Sequence, residues 1–162
     1  GGGKIILPEP APLLTSQSKM PGLDGEKMSK SYGNTIGLRD SSETIAQKVQ
    51  KMPTDPARIR RSDPGTPEKC PVWGLHKVYS SDDVKDWVQQ GCRSAGIGCL
   101  DCKKPLIASI DAEVAPIRER ALELEKTPQV VRNIINEGAE YAREVASETI
   151  DEVKRAMGLS YQ

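Results

Sequence analysis

Between residues 103 and 158, apolar side chains recur at three- and four-residue spacing, and no other feature narrows the fold so far. Leu106, Ile107, Ile110, Val114, Ile117, Ala121 and Leu122 fall on one stripe of a helix read over 103–126. Val130, Val131, Ile134, Ile135, Ala142, Val145, Ala146, Ile150 and Val153 line a second helix, which Gly158 ends. Thr127-Pro128 offers a cap and a first-turn proline between the two. Pro105 suits the first turn of the earlier helix, whereas Pro116 predicts a kink or brief break. Upstream, Asp40-Ser41-Ser42-Glu43 fits a capping box for a helix that carries Ile45, Val49 and Met52 as far as Pro53. Residues 72–79 and 82–90 read as shorter helices, the latter with Val84, Trp87 and Val88 inward and Gly91 as its stop. Residues 91–102 read as a loop. Residues 41–162 therefore predict a mainly α chain, a helical bundle with an aliphatic core.

The first 40 residues have another character. Residues 4–7 form a β-branched apolar run ended by Pro8, which suits the last strand of a sheet. The extended connector Pro8-Glu9-Pro10-Ala11-Pro12 then leads into a glycine-framed loop, so the loop is expected to hang from the carboxyl end of a strand. Open α/β sheets bind nucleotides there. The several βαβ units of such a sheet are missing, so residues 1–40 read as the trailing edge of a nucleotide-binding domain. Gly1-Gly2-Gly3 is left out of this reading.

Basic and acidic residues balance at 23 each, so no overall positive field draws the chain to nucleic acid. Any RNA site must be a local patch. With no long apolar run and no basic-then-apolar leader, the expected location is the cytoplasm, with no membrane partner.

The glycine-framed loop reads Pro21-Gly22-Leu23-Asp24-Gly25-Glu26-Lys27-Met28-Ser29-Lys30-Ser31-Tyr32-Gly33-Asn34. Two ammonium groups three residues apart, small hydroxyls and free backbone amides suit a polyphosphate whose charge grows during reaction. A solvated surface loop is the plainer alternative for Lys-x-Ser-Lys-Ser alone. The whole framed run resembles the Lys-Met-Ser-Lys-Ser motif of class I aminoacyl-tRNA synthetases, and its flanks resemble the tryptophanyl branch. Leu13-Leu14-Thr15, Thr54-Asp55-Pro56, Arg58-Ile59-Arg60-Arg61-Ser62-Asp63-Pro64-Gly65 and Cys70-Pro71-Val72-Trp73 with Leu75-His76 are similar to connectors of that branch. The resemblance covers nearly all of residues 5–158. It implies the C-terminal part of a homodimeric enzyme, with the edge of a Rossmann-type catalytic domain followed by a helical anticodon-binding domain. The whole enzyme would join tryptophan to tRNA(Trp) with ATP and Mg2+. Lys27 and Lys30 would stabilise the departing pyrophosphate, Ser29 and Ser31 would donate hydrogen bonds, and Met28 would anchor the loop. No His-x-Gly-His motif is present, so these residues by themselves are expected to be inactive.

Cys70, Cys92, Cys99 and Cys102 give the spacing C-x21-C-x6-C-x2-C. Four thiolates ending in C-x2-C can hold zinc or a 4Fe–4S cluster, and Gly96 and Gly98 let the middle arm curl. Reduced, unliganded thiols are the alternative. Some tryptophanyl-tRNA synthetases carry a four-cysteine iron–sulfur site of similar spacing, and this resemblance ranks the cluster above zinc.

Arg58, Arg60, Arg61 and Lys69 crowd the loop before Cys70, and Lys103 and Lys104 follow Cys102. Arginines pair phosphates and stack on unpaired bases, as anticodon recognition requires. The competing reading has Asp55 and Asp63 pairing these arginines as a structural network. His76, the only histidine, reads as structural and half-buried. Trp73 and Trp87 are expected in the core, and the 119–126 charges on a solvated face. A stand-alone iron–sulfur or RNA-binding module is the alternative to the ligase.

Overall fold

The computed structural model describes residues 5–15 and 17–159. Among them are five α-helices: α1 (Ser42–Lys51), α2 (Pro71–Tyr79), α3 (Asp82–Arg93), α4 (Cys99–Glu125) and α5 (Pro128–Ala156). Short 3-10 turns stand at Lys30–Tyr32 and Pro67–Lys69. The mainly α expectation holds. The expected strand does not form. Residues 5–7 are irregular, with Ile5 and Leu7 exposed, and Lys4 lies outside the described residues. A strand needs a neighbour to satisfy its backbone, and no strand pairs with this segment among the described residues.

By backbone proximity the chain falls into two units, Leu14–Ala121 and Gly1–Leu13 with Leu122–Gln162. The first unit has a three-helix core. Ile45, Val49 and Met52 enter from the α1 segment, Val72 and Leu75 from α2, and Leu106, Ile110 and Val114 from α4. Each fully buried side chain of this kind contributes about 1.5–3 kcal/mol. Met20, Leu23 and Ile36 pack on the same cluster. The segment bearing the lysines is therefore pinned to the helices on both sides of its loop.

Helix ends follow local chemistry with some reassignments. Ser41 caps α1, its Oγ accepting the Thr44 N–H at 3.1 Å. Asp40 is not part of that cap: its Oδ2 accepts from Lys48 Nζ at 2.6 Å and from the Gly37 N–H at 2.7 Å. Gly91 does not stop α3, which runs on to Arg93. A side chain at 91 would meet Ile97 Cγ2 at 2.8 Å, so the glycine serves close packing. Ala95, at φ 57°, makes the left-handed turn that ends the helix. The expected 91–102 loop shrinks to residues 94–98, because α4 already starts at Cys99.

Pro105 therefore lies inside α4 rather than in its first turn, and the helix runs unbroken through Pro116. The carbonyl deprived of a partner by Pro116 belongs to Ala112, on the exposed side, where water can satisfy it. In α5 no residue is buried, and Ile134, Ile135 and Val145 are exposed despite their helical register. Trp87 is also largely exposed, in contrast to its expected place in the core, whereas Trp73 and Val88 are buried.

Candidate functional site

The lysine segment is a short hairpin organised by Asn34. Pro21 and Lys27 form an antiparallel bridge, the Gly22 N–H donates to Glu26 O at 2.6 Å, and the Met28 N–H donates to Met20 O at 2.8 Å. Gly25 takes the positive φ (90°) of the tip. Asn34, only 4% exposed, closes the hairpin from behind. Its Oδ1 accepts the Ser29 N–H at 2.8 Å, while its Nδ2 donates to Asp24 Oδ1 at 2.7 Å and to Lys27 O at 3.2 Å. The bond from Asn34 leads the interactions that hold Asp24 below the usual carboxylate range.

Ser29 then caps the Lys30–Tyr32 turn, its Oγ accepting the Ser31 N–H at 3.3 Å. Lys27, Lys30 and Ser31 are exposed, and Met28 and Ser29 half-buried. Two ammonium groups are thus presented to solvent from a braced backbone. Such a loop can meet a phosphate chain without first ordering itself.

The arginine loop is held by its aspartates, but through backbone. Asp55 accepts the N–H groups of Thr66 at 2.7 Å and Ala57 at 3.0 Å, which keeps its carboxyl below the ordinary range. Asp63 accepts the Arg60 N–H at 2.6 Å. No aspartate–guanidinium salt bridge joins Asp55 or Asp63 to these arginines among the described residues, although the Arg58 charge helps to lower Asp55. Arg60 and Arg61 are exposed, and Arg61 lies 4.0 Å from Asp101. With Thr54, Ile59, Leu100 and Lys104 they line a groove of about 750 Å3.

Two residues of the expected RNA surface lie elsewhere. Lys103 is 3% exposed, and its Nζ donates to Gln50 O at 2.8 Å and Met52 O at 2.6 Å, closing the end of α1. Its ammonium is committed to those carbonyls and turned away from the surface where an RNA contact was expected. Arg58 is 9% exposed; its guanidinium donates to Arg61 O at 2.9 Å and Ile97 O at 2.6 Å and stands 3.9 Å from Cys92 Sγ. Its Nε is buried without a hydrogen-bond partner. Lys69 is exposed but lines a different groove, at the base of the lysine hairpin.

All four cysteines are free and half-buried. Burial and the neighbouring Cys70, Cys92 and Cys99 push Cys102 up to about 12. Burial also raises Cys70 and Cys92, and each of them feels the charge of Cys99. The four thiols thus share one region, although among the described residues no three His, Cys, Asp or Glu side chains are gathered as an ion site.

The surroundings of the thiols were not legible in the sequence. His76 is fully buried rather than half-buried, its Nδ1 2.7 Å from Ser80 Oγ and its Nε2 3.4 Å from Cys102 Sγ. Burial pulls it down to about 4, so it is neutral at pH 7. Trp73 stacks obliquely on it, ring centroids 6.2 Å apart. Only the nearness of Leu75-His76 to Cys70 hinted at this.

Known proteins resemble the chain over nearly its whole length. The chain is 58% identical over 161 residues to the tryptophan–tRNA ligase of Ralstonia nicotianae, matching 99% of this chain and 40% of that protein. It is 48% identical over 157 residues to the tryptophan–tRNA ligase of Thermotoga maritima, matching 96% of this chain and 48% of that one. The chain thus spans less than half the length of these relatives. Among solved structures, the tryptophanyl-tRNA synthetase of Campylobacter jejuni complexed with ADP and tryptophan superposes with a TM-score of 0.70 at 29% identity, covering 87% of this chain and 44% of that one. The profile of the class I tRNA synthetases (W and Y) matches residues 2–114, which hold the lysine hairpin, the arginine loop and all four cysteines; the chain belongs to that family.

Proposed function

We propose that this chain is the C-terminal part of a tryptophan–tRNA ligase: residues 1–40 the edge of its catalytic domain, residues 41–162 its anticodon-binding domain. The observation that carries the reading is the lysine hairpin, braced by Asn34 and offering Lys27 and Lys30 to solvent. In the complete enzyme a carboxylate oxygen of tryptophan attacks the α-phosphorus of ATP. The bond from that phosphorus to the bridging oxygen breaks, and pyrophosphate leaves with the electron pair. Lys27 and Lys30 meet the charge that accumulates on the leaving group. Ser29 keeps its hydroxyl proton to donate, since its Oγ acts as acceptor toward the Ser31 N–H, and the exposed Ser31 would donate beside it. ATP enters with Mg2+, and Met28 anchors the loop. Their work is electrostatic.

In a complete enzyme, Lys30→Ala is expected to lower tryptophan-dependent ATP–pyrophosphate exchange by about two to three orders of magnitude, as losing a transition-state donor does. Tryptophan affinity should change little. Unchanged exchange rejects the assignment, as does exchange measured with the 162-residue chain alone.

Arg60 and Arg61, in the groove beside Leu100 and Lys104, are the arginines free to meet tRNA(Trp). Cys70, Cys92, Cys99 and Cys102 would hold a 4Fe–4S cluster, with zinc as the second choice. The buried Arg58 supports this. Its charge is met by the Asp55 carboxylate and two backbone carbonyls but by nothing on the side of the neutral thiols, whereas a cluster on four thiolates is an anion. Bound there, the group would supply a covalent clip across three segments and an electron-transfer centre. Protein purified without oxygen should show a broad visible band and about four irons per chain. One zinc and no colour selects the alternative ion, and neither metal removes the site.

The parent enzyme is read as a cytoplasmic homodimer. No helix among the described residues is long and apolar enough to cross a membrane.

A further inference from the structure

A second cationic surface lies at the base of the lysine hairpin, apart from the arginine loop. This groove, of about 500 Å3, is lined by Lys19, Lys27, Lys69 and Lys77 from three elements: the hairpin, the Pro67–Lys69 turn and α2. All four lysines are exposed, and none forms a salt bridge among the described residues. Two carboxylates share the groove, and one of them, Glu68, is already paired with Arg93 at 2.5 Å. In a chain whose charges cancel, this is a concentrated positive excess.

The lining chemistry selects the ligand. No arginine fork lines the groove, and no buried, unpartnered side-chain donor is available there to fix one phosphate in place. Lysines are mobile point charges, suited to successive phosphates at low positional precision. The lining offers separate, exposed lysine charges rather than a fixed fork, which suits a run of phosphates better than one nucleotide.

We propose that this groove seats a sugar-phosphate stretch of tRNA, as a contact separate from the arginine groove. The proposal rests on the reading of the chain as a tRNA-binding part of a ligase. Lys27 lines both this groove and the loop assigned to ATP. RNA held there therefore touches the loop that handles the pyrophosphate.

The test is binding of a tRNA(Trp) transcript to the 162-residue chain over a salt series, comparing wild type, Lys19→Gln/Lys77→Gln and Arg60→Gln/Arg61→Gln. The exchanged lysines are exposed and outside the catalytic pair, and an unchanged melting temperature verifies the fold. The lysine variant should bind at least about tenfold more weakly near 50 mM salt, with a log–log salt slope shallower by about 1.5–2. Lys77→Glu should weaken binding further than Lys77→Gln. If the arginine variant weakens while the lysine variant keeps wild-type affinity and slope, the groove is not a tRNA contact and the ligase reading stands. If the lysine variant keeps its tRNA affinity but loses ATP affinity, the groove is a nucleotide site and the proposal fails. If the wild-type chain shows no salt-dependent tRNA binding, the anticodon-domain reading falls and takes the groove with it.

Discussion

Replacing Asn34 with alanine is the sharpest perturbation of the lysine hairpin, because one side chain ties two backbone groups and a carboxylate of it together. The amide accepts from Ser29 N at 2.8 Å and donates to Lys27 O at 3.2 Å and Asp24 Oδ1 at 2.7 Å. The Asp24 contribution is left out of the sum, since that carboxylate is open to water. The two neutral bonds contribute about 1 kcal/mol each, and stranding the half-buried Ser29 N–H raises the total to roughly 2–3 kcal/mol. That is a small part of a domain's stability but a large part of a two-turn hairpin's, so the loss should appear locally.

The assay is amide hydrogen exchange resolved at Ser29, Met28 and Gly22. Opening should become about 30- to 150-fold more frequent at these amides, the equivalent of that energy, while the α1 and α4 core keeps its protection. The Ile45 N–H, bonded to Ser41 O at 2.9 Å at the start of α1, is the internal control because it lies outside the hairpin. Asn34→Asp should be worse than Asn34→Ala, because it turns the Nδ2 donor into a carboxylate facing Asp24. Unchanged protection at Ser29 in Asn34→Ala would refute the reasoning that this amide pre-forms the loop.

Two further outcomes follow from buried charge. In Asp40, burial pushes the pKa up, but the hydrogen bonds from Lys48 and the Gly37 N–H and the Lys48 charge outweigh it and hold the carboxyl below 3.8. Its stabilisation is therefore full above about pH 4 and is lost as pH falls from 3.8 through the lower folded value; acid titrations of stability should show a shallower fall for Asp40→Asn, and identical curves would contradict the sign. Lys103→Met keeps the stem volume but strands the Gln50 and Met52 carbonyls, so denaturant unfolding should register a loss of about 2–4 kcal/mol, with Lys104→Met, on the exposed side, as the neutral control.

What was legible in the sequence and what was not divides by range. The start of α1 near residue 41, the α2 span and the aliphatic identity of the core depend on neighbours within a turn and are readable as such, although the cap itself falls on Ser41 rather than Asp40. The inward turn of Lys103 is not legible because its two acceptors lie 53 and 51 residues back in the chain, at the end of α1. A lysine beside two other cations carries no local sign that it will point inward. The same holds for Arg58, whose inward acceptor is Ile97, 39 residues on. Residues 4–7 had strand composition, but composition cannot supply a pairing partner. The exposed apolar residues of α5 make a related point, since period fixes a face without saying whether anything covers it.

The same division explains why the cysteine spacing alone was an incomplete argument. Spacing says that three stretches of chain can reach one centre; it says nothing about charge around that centre. The structure adds a guanidinium that is 9% exposed, with one buried nitrogen unpartnered and another 3.9 Å from Cys92 Sγ. Asp55 and two carbonyls offset part of the cost of burying this arginine, and an anion on the thiols would offset more of it. If metal binding is what supplies that anion, Arg58→Met should be tolerated better by metal-free protein than by metal-loaded protein. Unfolding midpoints of the two forms measure the difference, and an equal loss in both would assign Arg58 to the Arg61 and Ile97 carbonyls alone.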